Sequence, residues 1–273
     1  MINDTFNIIK KMTTNPNQIN INVKKPVKKE LSLNMVLNNE TIGQSAEAAF
    51  CQIANIICNI NEKRLCKTIV DKICVQLINS DILNKLPSRI ISSCGYTNGS
   101  IDFKLENGET MSLKTLKYKN GKICPQKVGQ PTLNSWDKIW KKPYQGKLDK
   151  NPERWIFIKE NIHDYLNKMI AGIFCCDHLI VINDCMTLPS ITLYSNELIN
   201  NKLNYFTNQH IIYSKEIYEE KWNEKKQKYS EMSSTIKTSI NNKLISIGEF
   251  QFHKTSRLQL KFRFYDTFIQ LLF

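Results

Sequence analysis

The stretch IDFKLENGETMSLKT, residues 101–115, constrains the fold more tightly than any other part of the chain. Apolar residues alternate with polar ones on both sides of Asn107-Gly108, which is the period of a strand whose side chains take opposite faces in turn. A two-residue turn would pair Phe103 with Ser112 and Asp102 with Leu113, mixing the faces. A three-residue loop, Glu106-Asn107-Gly108, pairs Phe103 with Met111 and Ile101 with Leu113. A slip of one residue carries every side chain to the wrong side, so the hydrophobic match selects the three-residue loop. Gly108 then takes the left-handed position that such loops favour. In this register Asp102 faces Ser112, and Lys114 lies beside them on the face opposite the apolar one. A carboxylate there can hold a divalent cation through hard oxygen. A neighbouring lysine can orient or help deprotonate a water and stabilise phosphate charge. A polar outer face with an Asp–Lys ion pair accounts for the same pattern.

Upstream, the pattern turns helical from Ser45, an expected N-cap after Gly43. Ala46, Phe50, Ile53, Ile57 and Ile60 follow at spacings of three and four, one face of a helix. Glu47 projects from this helix among Phe50, Cys51, Ala54 and Cys58. A carboxylate on so apolar a surface needs a partner or a metal, unless it is a first-turn acid favoured by the helix dipole. A second helix is expected over 62–79, ended by Pro87. GKICPQKVGQPT reads as irregular, TLNSWDKIW as the start of a helix, and 152–174 as one long helix with Pro152 in its first turn. HLIVIND, SITLYS and QHIIYS read as strands. EIYEEKWNEKKQKY reads as an exposed charged helix, and LISIGEFQFHKTSRLQLKFRFYDTF as one or two strands. Residues 1–40 form an Asn- and Lys-rich basic arm, and 41–273 a single domain.

Composition narrows the partners. The 273 residues carry 38 Lys and Arg against 25 Asp and Glu, a net charge of +13. Such a charge favours a polyanion: nucleic acid, or an acidic membrane surface. Coding bias toward Lys and Asn would produce it too. No stretch approaches the roughly 18 apolar residues that span a bilayer, and MINDTFNIIKKMTTNPNQ lacks the apolar core of a signal peptide. An intracellular, cytoplasmic protein with no membrane association is expected. Nine cysteines are an odd number for a disulfide framework. Cys51, Cys58, Cys66 and Cys74 fall among helical apolar residues, where thiols act as small hydrophobes. Cys175, Cys176 and His178 match no zinc spacing and read as buried structure.

At Asp102, Ser112 and Lys114 the chain resembles the PD-(D/E)xK nuclease superfamily, and within it the type II restriction endonucleases. The family pattern places an Asp on one strand and an acid, any residue, then Lys on the next. Asp102 matches the first position and Lys114 the last. Residues 112–114 read Ser-Leu-Lys, so Ser112 replaces the usual acid, and Ile101 stands where the family name has Pro. The resemblance implies an α/β fold with a restriction-endonuclease-like core, a mixed β-sheet flanked by α-helices. It implies a second carboxylate from elsewhere, with Glu47 the first choice and Asp137 the second. It implies a Mg²⁺-dependent endonuclease that cuts both strands of DNA at a specific sequence, leaving a 5′-phosphate and a 3′-hydroxyl. Asp102 and Glu47 would hold metal, Lys114 would position and activate water, and Ser112 would hydrogen-bond a water or the phosphate.

Contacts to DNA are expected from two segments. Gln126 and Gln130 suit an adenine edge, and the helix start near Thr132 could present backbone N–H groups to phosphate. His253, Lys254, Arg257 and Arg263 form a basic strand surface suited mainly to phosphate. Double-stranded DNA is the expected partner, with a homodimer possible. Three rival readings share these features: a repair or structure-specific nuclease, a non-catalytic DNA-binding protein favoured by Ser112, and a membrane-surface protein resting on charge alone.

Overall fold

Asn38 starts the first helix. Its extended backbone turns the side chain onto the Thr41 N–H at 2.7 Å, satisfying one of the donors that a helix start leaves open. The computed structural model describes residues 37–58, 60, 64–94, 101–125, 129–130, 151–195, 205–230, 232–253 and 260–273; Leu37–Phe273 form one unit. Helix α1 (Asn39–Ala54) closes on Asn55 in the left-handed region, φ 54°. It begins six residues before Ser45, so Ser45 is not the cap. Instead its buried hydroxyl donates to Thr41 O and accepts from Cys66 N, pinning the entry to α2 (Lys67–Asn79). The stripe expected to continue to Ile57 and Ile60 stops with the helix, and Ile57 is exposed.

Strands β1 (Ile90–Ser93), β2 (Phe103–Leu105), β3 (Thr110–Thr115), β5 (His178–Asn183) and β6 (Ser190–Ser195) form a sheet in the order β1-β2-β3-β5-β6. Its pairs are antiparallel except β3–β5, which is parallel, so the first sheet is mixed. A second five-stranded sheet is antiparallel, in the order β4-β12-β11-β10-β7. It is made of β4 (Lys122–Ile123), β7 (Ile211–Tyr213), β10 (Ser233–Ile240), β11 (Lys243–Phe252) and β12 (Leu260–Tyr265).

Every residue of β5 is buried, because its two faces serve different cores. Ile180 and Ile182 join Phe50, Phe103, Met111 and Leu113 beneath α1 and α2. Leu179 and Val181 join a core shared with α3 (Asn151–Glu160), α4 (Ile162–Ile173) and the aromatic face of the second sheet. A continuous apolar run is what burial on both faces requires. In that second core Trp155, Tyr165, Phe250 and Phe262 meet edge to face at centroid distances of 5.4–6.4 Å, with Phe250 and Phe262 tilted at 4.6 Å, arrangements that aromatic quadrupoles favour.

Three elements differ from the sequence expectation. The long helix over 152–174 is two, broken at Asn161 (φ −118°, ψ 23°), whose side chain donates to Phe157 O at 2.9 Å; Asn competes with the helix for its own backbone. The segment expected as a charged helix is a hairpin, β8 (Lys221–Asn223) and β9 (Lys228–Ser230), with Trp222 opposite Tyr229 and Gln227 at φ 48°. After Trp222 no apolar residue falls at 225 or 226 to continue a helical stripe, and aromatics favour strands. The C-terminal strands are followed by an unexpected helix, α5 (Asp266–Leu272). Cys175, expected buried, is exposed, whereas Cys176 and His178 are buried. Among the described residues no helix is long and apolar enough to cross a membrane.

Candidate active site on the central strand of the first sheet

The hairpin adopts the register its hydrophobic pattern selects. Phe103 lies opposite Met111. Gly108 N donates to Leu105 O, Leu105 N donates to Glu109 O, and Gly108 sits at φ 89°. Beyond Met111, β2 has no further residue paired with β3. There the Asp102 carboxylate takes the place of backbone: Leu113 N–H donates to its Oδ2 at 2.6 Å, and Ser112 Oγ donates to the same oxygen at 3.0 Å. Lys114 Nζ donates to Ser112 Oγ at 3.2 Å. Asp102, Ser112 and Lys114 therefore share one face, with the fully buried Ser112 hydroxyl bridging acid and base. Among the described residues both hydrogen bonds to the Asp102 carboxylate fall on Oδ2, which leaves Oδ1 for another partner.

Glu47 reaches this site from α1. The helix runs over the opposite face of β3. A Cβ at Gly43 would stand 3.8 Å from Thr115 Oγ1, and Phe50 packs on Phe103 with ring centroids 5.8 Å apart. Glu47 lies between these two contacts. Burial and the nearby Asp102 charge push its carboxyl up to about 7, against the opposing pull of Lys114. Asp102 is also raised, by burial, although Lys114, Leu113 N–H and Ser112 all pull the other way. Two carboxylates and one ammonium thus occupy a mostly dry site. Each carboxylate is less acidic than usual because burial and like charge oppose ionisation.

That tension bears on whether a divalent cation fits. Two hard-oxygen donors with raised affinity for a positive charge, and a free oxygen on Asp102, suit Mg²⁺, which takes one or two carboxylates and completes its shell with substrate oxygen and water. Among the described residues no three His, Cys, Asp or Glu side chains converge as a metal cage. Among the described residues a cation here would rest on Glu47 and Asp102 as its acids.

The remaining candidates divide. Gln130 donates to Cys124 Sγ at 2.9 Å, and Cys124 itself lies against β12, its thiol donating to Phe262 O at 3.5 Å. His253 is half-buried just beyond β11, and Arg263 lies on β12. Gln126, Thr132, Asp137, Lys254 and Arg257 lie outside the described residues. The sequence reading passed over Lys261, although it sits two residues before Arg263 on the same face of β12. The alternation of LQLKFRF was the available signal.

An acidic pair and a lysine gathered where β2 stops pairing with the central strand β3 make a centre suited to a divalent cation and a phosphodiester. Over 172 residues the chain is 32% identical to the type II restriction enzyme CviAII of Paramecium bursaria Chlorella virus 1, an alignment spanning 63% of this chain and 44% of that enzyme. The chain thus matches less than half the length of this relative. No family model matches the chain, and no solved structure matches it.

Proposed function

We propose that the protein is a sequence-specific, Mg²⁺-dependent endonuclease of double-stranded DNA, built on a restriction-endonuclease-like core of the PD-(D/E)xK type. The observation that carries this reading is the hydrogen-bonded group Asp102–Ser112–Lys114 where β2 stops pairing with β3, with Glu47 on α1 near enough to feel the charges of Asp102 and Lys114. The similarity to a type II restriction enzyme and the net charge of +13 support it.

Glu47 and Asp102 would hold the cation. When bound, Mg²⁺ supplies positive charge against the phosphate oxygens and makes water more acidic near neutral pH. Glu47 must release its proton to act as a ligand, so cation binding and proton release are linked. Lys114, held by Ser112, presents its ammonium to the attacking water and to the charge that grows on the phosphate. Ser112 is a positioning residue: its hydroxyl fixes both Asp102 and Lys114. In-line attack by water breaks the bond from phosphorus to the 3′ oxygen, leaving a 5′-phosphate and a 3′-hydroxyl.

The buried serine in place of a third acid favours one rival, a non-catalytic DNA-binding protein on the same fold. A digest of long unmethylated DNA with Mg²⁺ and with EDTA separates the two. Discrete fragments that need Mg²⁺ support the endonuclease, and sequencing their ends gives the site. Salt-sensitive binding without cleavage supports the rival.

A further inference from the structure

The polar face of the second sheet carries more positive charge than its partners use. Along β12, Leu260, Phe262 and Phe264 point into the core, so Lys261 and Arg263 share the opposite face. On neighbouring β11, Gln251 lies opposite Lys261 and Glu249 opposite Arg263. Glu249 is the acid that register offers to Arg263, yet both its oxygens are engaged elsewhere. Oε2 accepts from Lys122 on β4, and Oε1 accepts from Gln251 at 2.9 Å. Lys122 also lies 5.0 Å from the centre of the Tyr265 ring. Arg263 Nε is left buried with no hydrogen-bond partner. A buried, unpaired donor on a guanidinium is costly. Among the described residues of this face, three cations meet one carboxylate, an excess of positive charge.

This patch adjoins the candidate active site. The Cys124 thiol, fixed on β12 through Phe262 O, lies in the field of Lys261, Arg263 and Lys114 together, although burial still pushes it up. Cations of the second sheet and the lysine of the first therefore act on one half-buried thiol.

We propose that Lys261 and Arg263 bind a non-scissile phosphodiester of the DNA strand held at the Asp102–Lys114 centre. This rests on the DNA reading above. The scissile group belongs between the carboxylates and Lys114 on the first sheet, so an anion on the second sheet is a different phosphate. Arg263 supplies a planar guanidinium and Lys261 a point charge, a division that suits each side chain. Glu249 holds Lys122 and keeps a negative charge at the margin of the site.

The test is the affinity of the full-length protein for two unrelated duplexes, by fluorescence anisotropy in EDTA over a series of KCl concentrations. Removing one phosphate contact lowers the slope of log K against log [salt] by about 1. Arg263→Gln and Lys261→Gln should each do this and weaken both duplexes alike, by about tenfold. Arg263→Lys should keep the slope. Glu249→Gln should tighten binding, a result that misfolding does not produce. If Arg263→Gln fails to fold, Lys261→Gln and Glu249→Gln decide: a lowered slope with a gain in affinity supports the site, and unchanged values overturn it. Wild-type slope and affinity in folded Arg263→Gln, or a loss confined to one duplex, would also overturn it while leaving the DNA reading intact. A wild-type protein that binds neither duplex would remove both.

Discussion

The two sheets solve opposite problems with similar material. The first is thin and mixed, covered by α1 and α2 on one face, and its functional groups gather where a strand stops short. The second is a regular antiparallel sheet whose aromatic face builds the larger core and whose polar face is left with surplus cations. In the first, the candidate site forms at an interruption of pairing. In the second, pairing runs along β10, β11 and β12 with one register shift between Ile236 and Lys237, and charge follows the alternation of β12. The proposed site and the larger core thus reside in different places, and substitutions should separate them.

The largest effect should come from Lys114→Ala. Loss of the ammonium is expected to slow cleavage about 1,000-fold or more, about 4 kcal/mol in the barrier, with thermal stability close to wild type. Turnover near wild type would remove Lys114 from the centre. The converse variant is Phe250→Ala in the second sheet. Phe250 is fully buried against Trp155, Tyr165 and Phe262, and its truncation should cost about 3–5 kcal/mol in denaturant unfolding. A loss below about 1 kcal/mol would show that this core does not carry the stability assigned to it.

Glu47 sharpens the contrast through pH. Its carboxyl is raised from 4.5 to about 7 in the folded protein, so the folded state holds the proton more tightly than the unfolded chain. The stability this provides is full below about 4.5 and is lost as pH rises through about 7. Without divalent cations, wild type should lose stability between pH 5 and 8 relative to Glu47→Gln, by on the order of 3 kcal/mol at most. Equal pH dependence in the two proteins would show that Glu47 is not in the strained position described. The smallest effect belongs to the turn: Gly108→Ala should cost about 1 kcal/mol, because φ is 89° although nothing lies within 4 Å of an added Cβ. Chemical denaturation measures this, and a neutral result would argue against the left-handed loop.

What the sequence made legible was local. The hairpin register followed from alternation and one glycine, and it placed Asp102, Ser112 and Lys114 on one face before any tertiary contact was considered. The apolar character of His178–Asn183 announced a strand buried on both sides. What escaped depended on distant partners. Asn38 outcompetes Ser45 as a cap because Ser45 is engaged by Cys66, 21 residues away. Residues 221–230 form a hairpin through cross-strand pairing that helix propensity does not register. The surplus on the second sheet appears only once Lys122 meets Glu249, 127 positions apart in the chain.

The carboxylate of Asp102 divides its labour between its two oxygens. Oδ2 is masonry: it replaces the peptide carbonyl that a longer β2 would have offered to Leu113. Oδ1 is the oxygen that the proposed chemistry would use. An asparagine at 102 could keep the first duty while surrendering the charge, so architecture and reactivity at this position are separable by exchanging a single atom.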